Sequence, residues 1–378
     1  MFLAGPAGRR VALCYSMNVH PGEGLDDTLA AIESTVVPLR DRLGAKGAFA
    51  VGLRLARRAV EETESRAGEL KELLDRHRLV AVTANAFPYG DFHAGRVKEE
   101  VYRPDWTDGR RAVYSLRTAV LLAALNPRGA CASFSTLPLS YKPWKPALNA
   151  LVGRVLETVS ALQSVERKSG VRVMLALEPE PFCTLETAEE TASFFRKQIL
   201  PACRARFGRG ADELAKAYLG VCLDACHHAV RWEGAAGAVD LYREAGIPIV
   251  KVQLSSALEA PSTRELTAFA EPRYLHQVVA RSGEARPDLD GPPMDGPVRC
   301  HFHVPIHRAE VAGVATTRGE LAQGLRRALE TGATDCLEIE TYTWDVLPQR
   351  DGGLLDSLAA EFRWALGEAA SCGYAPAA

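Results

Sequence analysis

The sequence predicts a (β/α)₈ barrel. Short apolar runs alternate with longer amphipathic stretches along the whole chain, the pattern of a parallel sheet covered by helices. Eight such strand–helix units follow one another without a break in composition, which favours a closed barrel over an open doubly wound sheet. No Gly-x-Gly-x-x-Gly follows the first run, which counts against a dinucleotide-binding fold.

The expected strands are Val11–Met17, Phe49–Leu55, Leu79–Ala84, Cys131–Thr136, Val171–Leu177, Leu219–Leu223, Ile249–Leu254 and Cys336–Ile339, each short and most rich in Val, Leu or Ala. The expected helices are Leu25–Leu43, Ala56–Arg76, Gly109–Leu125, Ala147–Ser169, Leu185–Phe207, Ala235–Ala245, Thr263–Phe269 and Thr317–Thr331. Thr184 ahead of Glu186, and Thr317 ahead of Glu320, read as start signals. Leu354–Cys372 then closes the outer ring. Two connections are long: Ala86–Trp106 after the third strand, and Ala257–Val298 after the seventh, whose Pro287–Pro297 stretch reads as mobile. Loops after barrel strands lie on the face where active sites form, so both are expected to cover a substrate. We read residues 1–378 as one domain.

With 45 Lys and Arg against 47 Asp and Glu, and no basic stripe, nucleic acid is not an expected partner. No signal peptide and no bilayer-length apolar run are read, so a cytoplasmic location is the expectation, with self-association left open. The nine cysteines include no Cys-x-x-Cys pair, so neither a disulfide framework nor a zinc knuckle is suggested. Cys14, Cys131, Cys222 and Cys336 read as small buried apolar residues.

Polar residues cluster at strand ends. Glu178 closes the fifth strand, Asp224 the sixth with His227 three residues on, and Glu338 and Glu340 share a face of the eighth. On the seventh, Lys251 and Gln253 share a face. Three carboxylates converging on one rim are costly to desolvate and repel one another, and a divalent cation resolves both problems. In VRCHFHVPIH, His301 and His303 alternate onto one face of an extended segment, as ligands or substrate contacts.

The succession Glu178-Pro179, Asp224-Ala225-Cys226-His227, a polar seventh strand, an x-His-x-His segment and Glu340 resembles the metal-site layout of the xylose-isomerase-like superfamily. The resemblance implies one manganese, magnesium or zinc ion held by Glu178, Asp224, either Gln253 or His303, and Glu340. More narrowly, NVHPGE, FPYGDFH, VYRPDW, PLSYKPW, LALEPEP, DACHHAV, QLSSAL, HFHVP and ETYTWDVLP, spread from Asn18 to Pro348, resemble the metabolite-traffic protein EboE family. That family is xylose-isomerase-like and associated with making or moving small metabolites. Two departures stand out: Glu180 occupies the place where xylose isomerases commonly carry Lys, and Gln253 stands where His or Asp is usual.

The resulting expectation is an isomerase or epimerase of a polyhydroxylated, sugar- or cyclitol-like metabolite, working by proton transfer next to a carbonyl. Glu178 and Glu340 are expected to move the proton, and Lys251 or His227 to hold a substrate oxygen. His301 is expected to touch the substrate, and His93, Tyr89 and Trp106 to line the cover. The rival expectations are a phosphoesterase related to endonuclease IV, with His20 and His93 as added ligands, and a metabolite carrier without turnover.

Overall fold

The computed structural model describes residues 1–90, 92–93, 95–350 and 352–377. Eight parallel strands form the barrel: β1 (Arg10–Tyr15), β2 (Phe49–Arg54), β3 (Leu79–Asn85), β4 (Cys131–Thr136), β5 (Arg172–Leu177), β6 (Leu219–Asp224), β7 (Ile249–Leu254) and β8 (Cys336–Ile339). Each pairs with the next in parallel register from β2 to β8, and β8 pairs back onto β1. The circle closes at the parallel bridge between Ser16 and Gly52. The lower edge of β1 is taken instead by Phe2–Ala4, which pairs with it antiparallel, so β1 and β2 are apart below that bridge.

The outer layer holds α1 (residues 25–42, with a π turn at Ile32–Val36), α2 (Arg57–Arg76), α3 (Gly109–Leu125), α4 (Leu148–Ser169) and α5 (residues 188–207). It continues with α6 (Ala211–Tyr218), α7 (Ala225–Val230), α8 (Ala235–Glu244), α9 (Arg318–Thr331) and α10 (Leu354–Ser371). Among the described residues, no helix is long and apolar enough to cross a membrane. Asp108 caps α3 by accepting from Arg110 N–H, and Asp224 caps α7 by accepting from His227 N–H. The expected cap at Thr184 is displaced: Thr187 accepts from Glu190 N–H, because the chain first turns through Thr184, whose N–H donates to Ser140 O. The Thr317 hydroxyl accepts from Ala257 N–H rather than capping α9.

Most of the apolar core lies between the barrel wall and this helical layer. The barrel's lower interior is plugged by small residues, Ala12, Cys14, Ala50 and Cys336, with Phe2 packed beneath. Cys222 is buried as expected, whereas Cys131, at the start of β4, is exposed.

The chain departs from the expected plan after β7. Residues 258–316 build a second, antiparallel sheet in the order Ala285–Arg286, Val278–Ala280, Asp295–Cys300, Leu258–Ser262, Val314–Thr316, Glu310–Val311. Thr263–Phe269 is a 3₁₀ helix of this excursion, not a member of the outer ring. The end of the Pro287–Pro297 stretch joins the strand Asp295–Cys300. This sheet has its own apolar cluster around Leu258, Phe269, Val298 and Phe302. It carries His301 and His303 to the barrel mouth at the end of its central strand.

Candidate metal centre

The strands that end in acids deliver them to one place. Glu178 follows β5, Asp224 ends β6 and Glu340 follows β8; one carboxylate oxygen from each lies within 4.8 Å of the other two. Nitrogens of His227 and His303 lie equally close to Asp224. All five side chains are buried. Two ligands of one tetrahedral ion bonded at about 2.1 Å stand about 3.4 Å apart, so each trio needs to close by no more than about 1.4 Å to share a cation.

Hydrogen bonding divides Asp224, Glu340 and His303 into a held side and a bare side. Asp224 Oδ1 accepts from His227 N–H (2.9 Å) and Ser255 Oγ–H (2.8 Å), while Oδ2 has no partner. Glu340 Oε1 accepts from Asn18 Nδ2 (2.7 Å) and Asn85 Nδ2 (3.3 Å), while Oε2 has none. His303 Nδ1 donates to Glu340 O at 3.2 Å, which leaves the Nε2 lone pair bare. Glu178 Oε2 is likewise buried and bare. Buried polar atoms are ordinarily paired, and four bare ones, three of them on residues whose other polar atom is fixed, form the arrangement that holds a cation. The residues present therefore fit a divalent ion.

Electrostatics agree. Burial, then the neighbouring Asp224 charge, pushes the Glu178 carboxyl up to about 8. Burial, then Glu178, raises Glu340 well above the carboxylate range. Burial would raise Asp224 too, but His227 and His303 beside it, with its hydrogen bonds, bring it below its ordinary value. Burial keeps His303 below its usual range and His227 down at about 4, so both are neutral imidazoles with lone pairs to give.

A second cluster adjoins the first. Ligand atoms of Glu180, His227 and His301 also fall within 4.8 Å of one another. His227 Nδ1 donates to Pro179 O (2.9 Å) and His301 Nδ1 to Gln277 Oε1 (2.6 Å), so the two Nε2 atoms, 3.2 Å apart, present lone pairs to each other. A proton donor or cation placed against them relieves that contact. Glu180 Oε1 accepts from Tyr102 O–H (2.8 Å) and Gln277 Nε2 (2.9 Å), and its Oε2 is bare.

Other expected residues are elsewhere. Lys251 lies beneath the cavity, donating from Nζ to Glu338 Oε2 at 2.5 Å with both side chains fully buried, so it does not reach a substrate oxygen. Gln253 Oε1 faces Cys222 Sγ at 3.1 Å, turning its oxygen from the carboxylates. Trp106 is core, donating to Thr136 Oγ1 at 3.3 Å. Tyr89 does not line the cavity itself: it faces an outer groove between α2 and α3, edge-on to Tyr114, and the groove on the outer side of Pro88 and Phe92. His93 stands behind the cavity wall, donating from Nε2 to Asn18 O (2.6 Å) and accepting at Nδ1 from Tyr274 O–H (2.8 Å). His227, His301, His303, Glu178 and Glu340 do line the cavity, whereas Asp224 reaches it only through its neighbours.

Sequence reasoning passed over Asn18, Asn85, Tyr102, Tyr274 and Tyr342, which line the same cavity, and marked Glu180, also there, only as a departure. Asn85, ending β3, and Asn18, just past β1, carry the strand-end signal that picked out the acids. Tyr274 and Gln277 come from the antiparallel excursion, where no periodicity marks them.

No protein-family model matches the chain, and no curated protein matches it in sequence. Among solved structures, the chain is similar to the IolI protein with a binding zinc atom, at 11% identity over 95% of this chain and 98% of that one, with a TM-score of 0.52. A xylose isomerase domain protein from Alicyclobacillus acidocaldarius overlaps 95% of this chain and 99% of its own length at 13% identity and a TM-score of 0.46. Another, from Salmonella typhimurium LT2, overlaps 94% and 96% at 15% identity and a TM-score of 0.43. The fold is a closed (β/α)₈ barrel, as the sequence led us to expect, and it is similar to that of the IolI structure.

Proposed function

We propose that the protein is a divalent-metal-dependent isomerase or epimerase that moves a proton next to a carbonyl in a small hydroxycarbonyl metabolite. The observation that carries this reading is the set of four buried, bare ligand atoms on Glu178, Asp224, His303 and Glu340. In this proposal His303, not Gln253, is the fourth ligand, because its lone pair is bare while the Gln253 oxygen faces Cys222. When bound, manganese, magnesium or zinc supplies a Lewis acid that polarises the substrate carbonyl and acidifies the adjacent C–H. The zinc atom of the IolI structure is consistent with such a centre.

The protein side chains do the rest. Asn18 and Asn85 hold Glu340 by Oε1 and leave Oε2 facing the cavity, where it would be shared between the ion and the proton it takes or returns. Glu178, across the cluster, serves the opposite face. One of His227 and His301 accepts from a substrate hydroxyl placed against their Nε2 atoms, a contact the fixed Nδ1 bonds orient. Tyr342 O–H, 3.3 Å from His301 Nε2, and the roof above it exclude water from the reacting carbon. The resemblance to the EboE family supports a setting in which a small metabolite is made or moved, and we include that setting, a single-domain chain and a cytoplasmic location in the proposal.

The facing lone pairs of His227 and His301, with the bare Glu180 oxygen beside them, favour one alternative: a phosphoesterase with a second cation there, on the plan of endonuclease IV. Deuterium incorporation separates the two. With a hydroxycarbonyl substrate in D₂O, the isomerase reading expects deuterium at the isomerised carbon, and Glu340→Gln is expected to slow that exchange at least about a hundredfold with a smaller change in KM. Turnover without solvent deuterium, or phosphate release from ester substrates, sinks it.

A further inference from the structure

The cavity above these residues has two halves of opposite character. Its floor carries the carboxylates and imidazoles described above. Its roof is formed by Phe87, Pro88, Phe92, Val97, Val101 and Leu275, drawn from the segment after β3 and from the antiparallel excursion. Tyrosine rings extend that surface: Phe92, Tyr274 and Tyr342 meet with ring centroids 5.0 to 5.2 Å apart.

The polar atoms of the roof are already engaged. Tyr274 O–H bonds His93 Nδ1 (2.8 Å), and Tyr102 O–H donates to Glu180 Oε1 (2.8 Å). Lys98 Nζ donates to Glu271 O (3.1 Å), Tyr274 O (2.6 Å) and Asp288 Oδ2 (2.6 Å), which uses all three of its protons. Among the described residues, a substrate hydroxyl pressed against this half would lose its water and meet carbon, with at most a spare lone pair of a tyrosine oxygen in exchange. Each such hydroxyl is expected to weaken binding roughly tenfold, whereas an apolar group gains from the same burial. Pro88, Phe92, Val97 and Val101 also line an adjoining groove on the outer side of the roof, so the wall there is one residue thick and apolar on both sides.

We propose that the substrate is amphipathic, with a hydroxycarbonyl head for the floor and an apolar group of aromatic or branched-alkyl size for the roof, rather than a free sugar hydroxylated along its whole length. This rests on the metal-centred reading of the floor. Isothermal titration of the manganese-loaded protein with two hydroxyketones that share one head tests it: 1-hydroxy-4-phenylbutan-2-one and erythrulose. The phenyl ketone is expected to bind at least tenfold more tightly. Phe92→Asn, or Leu275→Gln if the first variant fails to fold, is expected to shrink that ratio at least fivefold. Equal or tighter binding of erythrulose, or a ratio unmoved in a folded variant, overturns the amphipathic substrate and leaves the metal centre standing. Undiminished binding of the phenyl ketone to chelator-treated protein and to Asp224→Asn overturns the metal-centred floor instead. Binding of neither ketone overturns both.

Discussion

Asp224 does two things with two oxygens. Oδ1 caps α7 and takes the Ser255 hydroxyl, while Oδ2 faces the other acids without a partner. An amide keeps an oxygen for the cap but puts a neutral group, or an N–H₂, where the ion needs charge. Asp224→Asn is therefore expected to remain folded, melting within a few degrees of the chelator-treated parent, and to lose at least about nine-tenths of its bound metal. Elemental analysis of protein purified without chelator decides it, and full metal content would make Asp224 purely structural. The acids were legible in sequence because an apolar strand that ends in a carboxylate needs a reason. Lys251 misled because alternation gives the face of a strand, not the height along the barrel. It points inward like Gln253 but one layer lower, where Glu338, itself two residues before Glu340, takes its charge. That pair lies in the dry interior, where removing either partner would strand the other, which makes it part of the scaffold beneath the cavity.

At the scale of elements, α10 reaches into the site from outside the barrel. Glu361 on this helix accepts from Thr341 Oγ1–H at 2.6 Å and Ile306 N–H at 3.1 Å, tying together the segments that follow Glu340 and His303. Burial pushes its carboxyl from 4.5 up to about 7. The folded state thus holds this proton more tightly than the unfolded chain does, so its contribution is fully present below about pH 4.5 and is lost as pH rises through 7. Between pH 5 and 8, urea unfolding of chelator-treated protein is expected to show the parent losing about 3 kcal/mol more than Glu361→Gln. Parallel pH profiles would show that Glu361 does not titrate there. No sequence signal marks this residue, since a lone Glu in an amphipathic helix reads as a surface charge. The antiparallel excursion was hidden for a related reason: several of its strands span only two or three residues, too few to show a period. His301 and His303 were nevertheless visible, because their spacing does not depend on which sheet carries them.

For the whole molecule, strand number and order were readable, because each parallel strand is an apolar run and each is followed by a helix of matching period. Closure was not. Nothing in the periodicity says that Phe2–Ala4 occupies the lower edge of β1, or that β1 meets β2 at the Ser16–Gly52 bridge. Gly52 is suited to that place: a Cβ there would lie 2.1 Å from Glu338 Oε1 and 2.9 Å from Tyr15 O. The bridge is expected to open locally before the rest of the wall, so native-state hydrogen exchange should find amides of β2 exchanging at least about tenfold faster than those of the β4–β5 ladder. Uniform protection around the barrel would refute this.

In a ring of eight staves, the join between the first and second lies diametrically across from the fifth and sixth, which end at Glu178 and Asp224. The cylinder is thus a rolled sheet fastened at its lip by one clasp, with its slack gathered on the side remote from Glu178 and Asp224. Opening at that lip is thus expected to be felt at Glu340, whose supports Asn18 and Asn85 stand on either side of the join, while the staves of Glu178 and Asp224 stay together.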